Sequence, residues 1–215
     1  MVAKPSPRSY RSPLRAEQVR GTRRAVVAAA HDLFVEHGYA GTTIDAVAER
    51  AGVSRKTVFS AVGGKAVLLK LALDRALAGD DEPVAVADRP GVRGEGRETD
   101  PRALLHRWAS RLAVIESRVA RLALVMAAAA DADPEVDKVH QASERGRRGG
   151  VRAFATRLGE IGGLRQGIDV DHAAAVAGLI CEPLGYQRLV VEAGWSLEDY
   201  ATWMAESVAS ALLPR

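Results

Sequence analysis

The residues with the most usable chemistry are the run Ser54-Arg55-Lys56-Thr57, with Thr43 shortly before it and Phe59 and Lys65 shortly after. None of this suits bond-breaking: two cations and several hydroxyls in close order are donors for phosphate oxygens and for the edges of bases. Their positioning can be read from the stretch Thr42 to Val62. Ile44, Val47, Ala48 and Ala51 recur at i, i+3, i+4 and i+7, one face of a helix that must be buried. Thr42 or Thr43 can cap its first turn, and Gly52 suits the left-handed residue that ends it. Val53 plugs the turn, Ser54 caps a second short helix, and Val58 is its inward residue, so Arg55, Lys56 and Thr57 face out. Two helices joined by a tight turn, the second with a basic and hydroxyl N-terminal end, have the form of a recognition element for a DNA major groove.

From about Arg20 to Leu77 the chain resembles the DNA-binding domain of the TetR (tetracycline-repressor-like) family of bacterial regulators. The resemblance rests on AAHDLFVEHGYAGTTIDAVAERAGVSRKTVF from Ala29 to Phe59, followed by Lys65 and the pair Leu68-Leu69. Two departures bear on the site. The family usually has Tyr where Phe59 stands, so Phe59 offers contact or packing and no hydroxyl for a phosphate. It usually has an aromatic residue and then Ser-Lys-Glu where this chain has Val62 and Gly64-Lys65-Ala66. The resemblance implies a homodimer on a double-stranded palindromic operator, a repressor released by a small-molecule effector, and Lys65 on a DNA phosphate. Local sequence agrees on Lys65: with Gly64 at a helix start, backbone N–H groups and the positive dipole end lie beside its ammonium. Gly63-Gly64-Lys65 is not a phosphate loop of the Walker type, because Phe59 and Ala66 stand where Gly and Ser or Thr are needed.

The elements that must hold this site are helical. Of the 215 residues 47% are hydrophobic, chiefly Ala, Leu and Val, and no alternating segment of useful length suggests a strand. The expected fold is all-α: an N-terminal three-helix helix-turn-helix domain followed by a C-terminal helical ligand-binding and dimerisation domain. Residues 1–16, with three prolines, three serines and spaced Lys4, Arg8, Arg11 and Arg15, read as a flexible basic arm. Residues 17–79 form the helix-turn-helix domain, with a scaffold helix from about Glu17 to His37 ended by Gly38 and a fourth helix from Lys65 to about Ala78. Residues 80–100, rich in Pro and Gly, read as a connector, and 101–215 as the regulatory domain. Met1 to Gly79 holds thirteen Lys and Arg against six Asp and Glu, a net +7 against −4 for the remainder, as a phosphate-binding domain joined to an acidic one would show.

In the C-terminal part, apolar helical stripes run from Leu104 to Met126 and from Val136 to Ile161, the second with a possible interruption at Gly149-Gly150. Further helices are expected through Leu179-Ile180, from Leu184 to Ala193 and from Ser196 to Leu213. Trp108, Leu112, Met126, Phe154 and Trp203 are candidate lining for an effector cavity, with packing as the plain alternative for each. Ala173, Ala174, Ala177, Ala205 and Ala209 would let the terminal helices pack against a second copy. The basic cluster Arg145 to Arg152 reads as a solvated helix face. No metal or cofactor is expected: His31 and His37 are six apart, and the lone Cys181, in a helix-like LICEPL setting, reads as a small buried hydrophobe. An enzyme would need acids and bases converging in a cavity, such as His172 with Glu182, and no catalytic motif supports one. With no long apolar run and no secretory signal, a cytoplasmic location without membrane contact is expected.

Overall fold

The structure, a computed structural model, describes residues 13–79 and 95–214. Among these the chain runs as α1 (Pro13–Gly41), α2 (Ile44–Arg50), α3 (Arg55–Val62), α4 (Lys65–Ala78), α5 (Pro101–Ala130), α6 (Pro134–Glu160), α7 (Val170–Ile180), α8 (Pro183–Tyr186) continuing as a π-helical turn over Gln187–Glu192, and α9 (Leu197–Leu212). Helix α1 starts at Pro13, before the predicted Glu17, because the fixed φ of proline fits a first helical turn. Pro13 to Ala16 of the expected basic arm are therefore helical, and the rest of that arm lies outside the described residues. The same is true of most of the connector; its last residues lead to Asp100, which caps α5 by accepting a bond from the Ala103 N–H at 2.9 Å. The Arg102 to Ala130 region is one helix, and α6 passes through Gly149-Gly150 unbroken.

Two apolar cores organise the molecule. The first gathers Val26, Phe34, Val47, Val58, Leu68 and Leu69 from α1 to α4, all fully buried. It also takes in the C-terminal half of α5, from Val119 through Leu122 to Ala130, and Val136 of α6. The second joins the N-terminal half of α5, including Leu105 and Trp108, to Phe154 and Leu158 of α6, Ala173 and Ala177 of α7, and Met204 and Val208 of α9. Each large side chain so buried contributes about 1.5–3 kcal/mol over leaving it in water. The alanines predicted to meet a second copy are mostly spent here. Ala173, Ala177, Ala205 and Ala209 lie inside the protein's own core, where small side chains let α7 and α9 approach α5 and α6 closely.

The route from α1 into the helix-turn-helix depends on Gly38, whose φ of 69° and ψ of −178° interrupt the helix. The buried Thr42 hydroxyl donates to the freed Gly38 carbonyl at 2.8 Å. A Cβ at Gly38 would meet open space, so only the backbone conformation demands glycine there. Gly38→Ala is expected to lower stability by about 1–3 kcal/mol, read as a shifted denaturation midpoint in far-UV circular dichroism.

Candidate functional site

The helix-turn-helix is built by short-range capping and a few side-chain ties. Thr43 caps α2, its hydroxyl accepting the Ala46 N–H at 3.1 Å, and Ser54 caps α3, accepting the Thr57 N–H at 3.1 Å. Between them Gly52, at φ 67°, and Val53 turn the chain, with the Val53 N–H donating to the Ala48 carbonyl at 2.9 Å. Val58 and Val62 anchor α3 in the first core, Val62 in addition to the one inward residue predicted. Arg50 holds Glu36 through two bonds of 2.9 Å, fixing α2 against α1.

This leaves Ser54, Arg55 and Lys56 exposed and Thr57 half-buried at the start of α3. The side chains are not all idle. Arg55 donates to Asp45 of α2 at 2.6 Å, and its guanidinium lies 5.7 Å from the centre of the Phe59 ring. Phe59 is 46% exposed, so its ring rests on the surface beside Arg55 and adds nothing to the core. Thr57 shares its hydroxyl with Ser54 at 2.8 Å, and Thr43 spends its own on a cap. Lys65 is half-buried at the start of α4, its ammonium 4.1 Å above the Tyr39 ring. Partial burial lowers the Lys65 pKa, and the nearby Asp133 carboxylate opposes that shift. Tyr39 in turn stacks on Phe34 and donates its hydroxyl to Asp133 at 2.9 Å, between α5 and α6. Lys65 therefore sits at a joint between the two halves of the molecule as well as at a helix start.

A second feature is a cavity of about 1080 Å³ between the two cores. Of the residues predicted to line it, Trp108, Leu112, Met126 and Phe154 do so; Trp108 and Phe154 stack with ring centres 3.9 Å apart. Trp203 does not. It stacks on Tyr200 and meets Trp195 edge-on, because α9 buries the Tyr200, Met204 and Val208 stripe and Trp203 stands a third of a turn away. Lys70, Leu73, Asp74 and Leu77 of α4 also form part of the cavity wall, so the cavity touches the helix that Lys65 begins.

Sequence reasoning missed the polar part of this wall. Glu116 of α5 is only 5% exposed and accepts a bond of 2.5 Å from the Tyr200 hydroxyl. Burial pushes its pKa up to about 8, against the pull of that hydroxyl and of Arg147. Arg147, read from sequence as one of a solvated cluster, turns inward and binds Glu144 at 3.0 Å and Glu182 at 2.7 Å. Its pair of acids outweighs the cost of its burial. A signal for Glu116 was present: with Leu105, Trp108, Leu112 and Val119 it completes an apolar helical stripe in which it is the one charged member. Cys181 is buried beside this group, as predicted, and burial raises its thiol pKa. Among the described residues no three of His, Cys, Asp or Glu gather as a metal ion requires. His172 lies in the first turn of α7 and Glu182 beyond its C-terminal end, at the start of α8, so the helix separates them.

Comparison with known proteins fits this geometry. Residues 26–72 match the family described as bacterial regulatory proteins, tetR family. The chain carries a TetR-family DNA-binding domain. An uncharacterized helix-turn-helix-type transcriptional regulator, YdeS of Bacillus subtilis (strain 168), is 41% identical over 49 residues, 23% of this chain and 25% of that protein. The match thus spans about a quarter of the length of that relative. Beyond the TetR-type domain the likeness is one of fold. FadR of Bacillus subtilis, solved with stearoyl-CoA, superposes with a TM-score of 0.69 at 15% identity, over 87% of this chain and 97% of that one. A protein of Saccharomonospora viridis described as a transcriptional regulator and solved with choline gives 0.68 at 18% identity, over 91% and 100%.

The position of Glu116 has a consequence for stability. Its folded pKa near 8 exceeds the ordinary carboxylate value of 4.5. Between these values the folded protein keeps a proton that the unfolded chain has lost, so stability falls as pH rises through that window. The loss is expected to be on the order of a few kcal/mol, and Glu116→Gln should flatten it in thermal melts recorded from pH 5 to 8.5.

Proposed function

We propose that the protein is a sequence-specific transcriptional regulator, a homodimeric repressor released from a palindromic DNA operator by a small molecule bound in the cavity. The observation that carries this reading is that α4 is shared. It begins at Lys65 beside the recognition helix α3, and further along it forms part of the cavity wall. A ligand that fills the cavity displaces α4 and, with it, the position of α3. That neighbours of the same fold were solved with stearoyl-CoA and with choline supports the cavity as an effector site.

On DNA, α3 lies in the major groove with Arg55, Lys56 and Thr57 toward the bases and phosphates, and Lys65 meets the backbone. Arg55 starts from an exposed ion pair with Asp45, worth at most about 1 kcal/mol, which a bidentate base contact outweighs. Two copies placing their α3 helices about 34 Å apart would read successive grooves. A dimer surface is offered by apolar side chains left in water near the C-terminus: Leu179 is 75% exposed and Val191 57%, with Leu184 and Trp195 also uncovered. Among the described residues no helix is long and apolar enough to cross a membrane, so this apolar surface has no spanning segment to join.

Selecting the fragments that the protein retains from genomic DNA tests the reading and gives the half-site spacing. With the selected operator, Arg55→Ala should lose about 1–3 kcal/mol of affinity, and equal binding by variant and parent would remove Arg55 from the contact. Lys65→Ala should weaken binding to every sequence and reduce the slope of affinity against salt, measured by fluorescence anisotropy. Leu179→Glu should shift the sedimentation velocity profile from dimer to monomer; an unchanged profile would place the interface elsewhere.

A further inference from the structure

The wall of the cavity states what kind of molecule it would take. Most of it is apolar, with the stacked Trp108 and Phe154 rings on one side and Leu112, Ile115 and Val119 on another. Into this wall α5 sets one carboxyl, Glu116, whose single hydrogen-bonding partner is the Tyr200 hydroxyl. Most of the other charges in the wall are already engaged. Lys70 is held by Asp74, Arg111 by Glu95 at 2.5 Å, and Arg157 by Glu160 and the Glu98 carbonyl. Arg147 faces Glu144 and Glu182 together, so the group around Glu116 carries more carboxylates than cations. Arg148 reaches Glu144 only at 3.9 Å and points mostly into solvent. Arg157 keeps one buried Nε–H without a partner, but the cation that acts on Glu116 is Arg147, already held by two carboxylates. A purely apolar ligand would leave the Glu116 carboxyl buried against hydrocarbon.

We propose that the cavity is a site for an amphiphilic cation, an apolar body bearing one amine or ammonium group, with Glu116 as its counter-ion. The inference rests on the reading of the cavity as an effector site and adds the class of effector. In the empty protein Glu116 is kept largely protonated by burial, facing Arg147 from α6, Cys181 and Glu182 from the α7–α8 junction, Tyr186 from α8 and Tyr200 from α9. A cation brings the opposite charge into the same low-dielectric space, favours the carboxylate, and releases its proton to solvent.

Three probes of one chain length, decylamine, decanol and decanoate, separate the possibilities by isothermal titration calorimetry on the full chain, well below micelle formation. Decylamine is expected to bind at least about tenfold more tightly than either partner, and Glu116→Gln to abolish that preference while leaving decanol unchanged. Decylamine affinity should also rise with pH from 6 towards 8, approaching tenfold per unit at the lower end as the proton to be displaced is lost. That slope in the unaltered protein decides the matter even if Glu116→Gln fails to fold. Equal binding of amine and alcohol, a preference that survives in Glu116→Gln, a flat pH profile, or no binding of any probe would each overturn the proposal. Retention of genomic DNA is scored separately. A protein that holds DNA without preferring the amine keeps the regulatory reading and loses this one, and a protein that prefers the amine without holding DNA does the reverse.

Discussion

The arrangement depends on one helix being shared between two cores. The N-terminal half of α5 is buried with α6, α7 and α9, whereas its C-terminal half is buried with α1 and α4. A helix is stiff along its axis, and interiors packed at crystal-like density do not yield gradually. The two halves of the molecule therefore cannot move independently without opening one core. The cavity runs along α5 from Leu104 to Ala127, across the interval between Ala113 and Val119 where the helix passes from one core to the other, and Glu116 stands in that interval.

Polar ties reinforce the shared helix at its ends. Arg118 of α5 donates to the Leu77 carbonyl at 3.4 Å, placing a cation at the C-terminus of α4, where unpaired carbonyls and the helix dipole favour it. Gly79, which ends α4 at φ 79°, leaves room for that guanidinium; a Cβ there would collide with it. At the opposite end of α4, Lys65, Tyr39 and Asp133 connect its first turn to the start of α6. The burial-raised pKa of the Tyr39 hydroxyl keeps it a neutral donor to Asp133 throughout the physiological range. Both ends of α4 are thus referred to the C-terminal half, and α3, packed on α1 and α2, lies next to the more polar of the two joints.

What the sequence made legible was local. The caps at Thr43 and Ser54, the left-handed Gly52 and the inward stripe of α2 each rest on residues within one or two turns, so spacing alone reveals them. The misreadings concern partners far along the chain. Arg147 looked solvated because Glu182 is 35 positions away, and Glu116 had no visible partner because Tyr200 is 84 away. The spacing of Tyr200, Met204 and Val208 does give the buried face of α9, but Trp203 lies off that face and spends its ring on Tyr200 and Trp195 and not on the cavity. The pairing of Arg55 with Asp45 lies between these cases, since it joins two helices of one motif whose relative orientation spacing does not give.

Glu116 is the place where local pattern and global fold disagree, and the disagreement has a direction. A leucine there would extend the apolar stripe from Leu105 to Val119, but it would leave the buried Tyr200 hydroxyl without an acceptor. The carboxyl also imposes a desolvation cost that grows as pH rises toward its pKa, offset in part by the Tyr200 hydroxyl and by Arg147. The Tyr186 and Trp203 rings hold the Tyr200 ring, while its buried hydroxyl depends on Glu116 as acceptor. On the proposed role of Glu116, the remaining cost is offset when a group of opposite charge enters the cavity. A charged side chain set into an apolar cavity wall is a conflict between local pattern and fold of the kind that functional sites carry, and it supports the proposed role of the cavity.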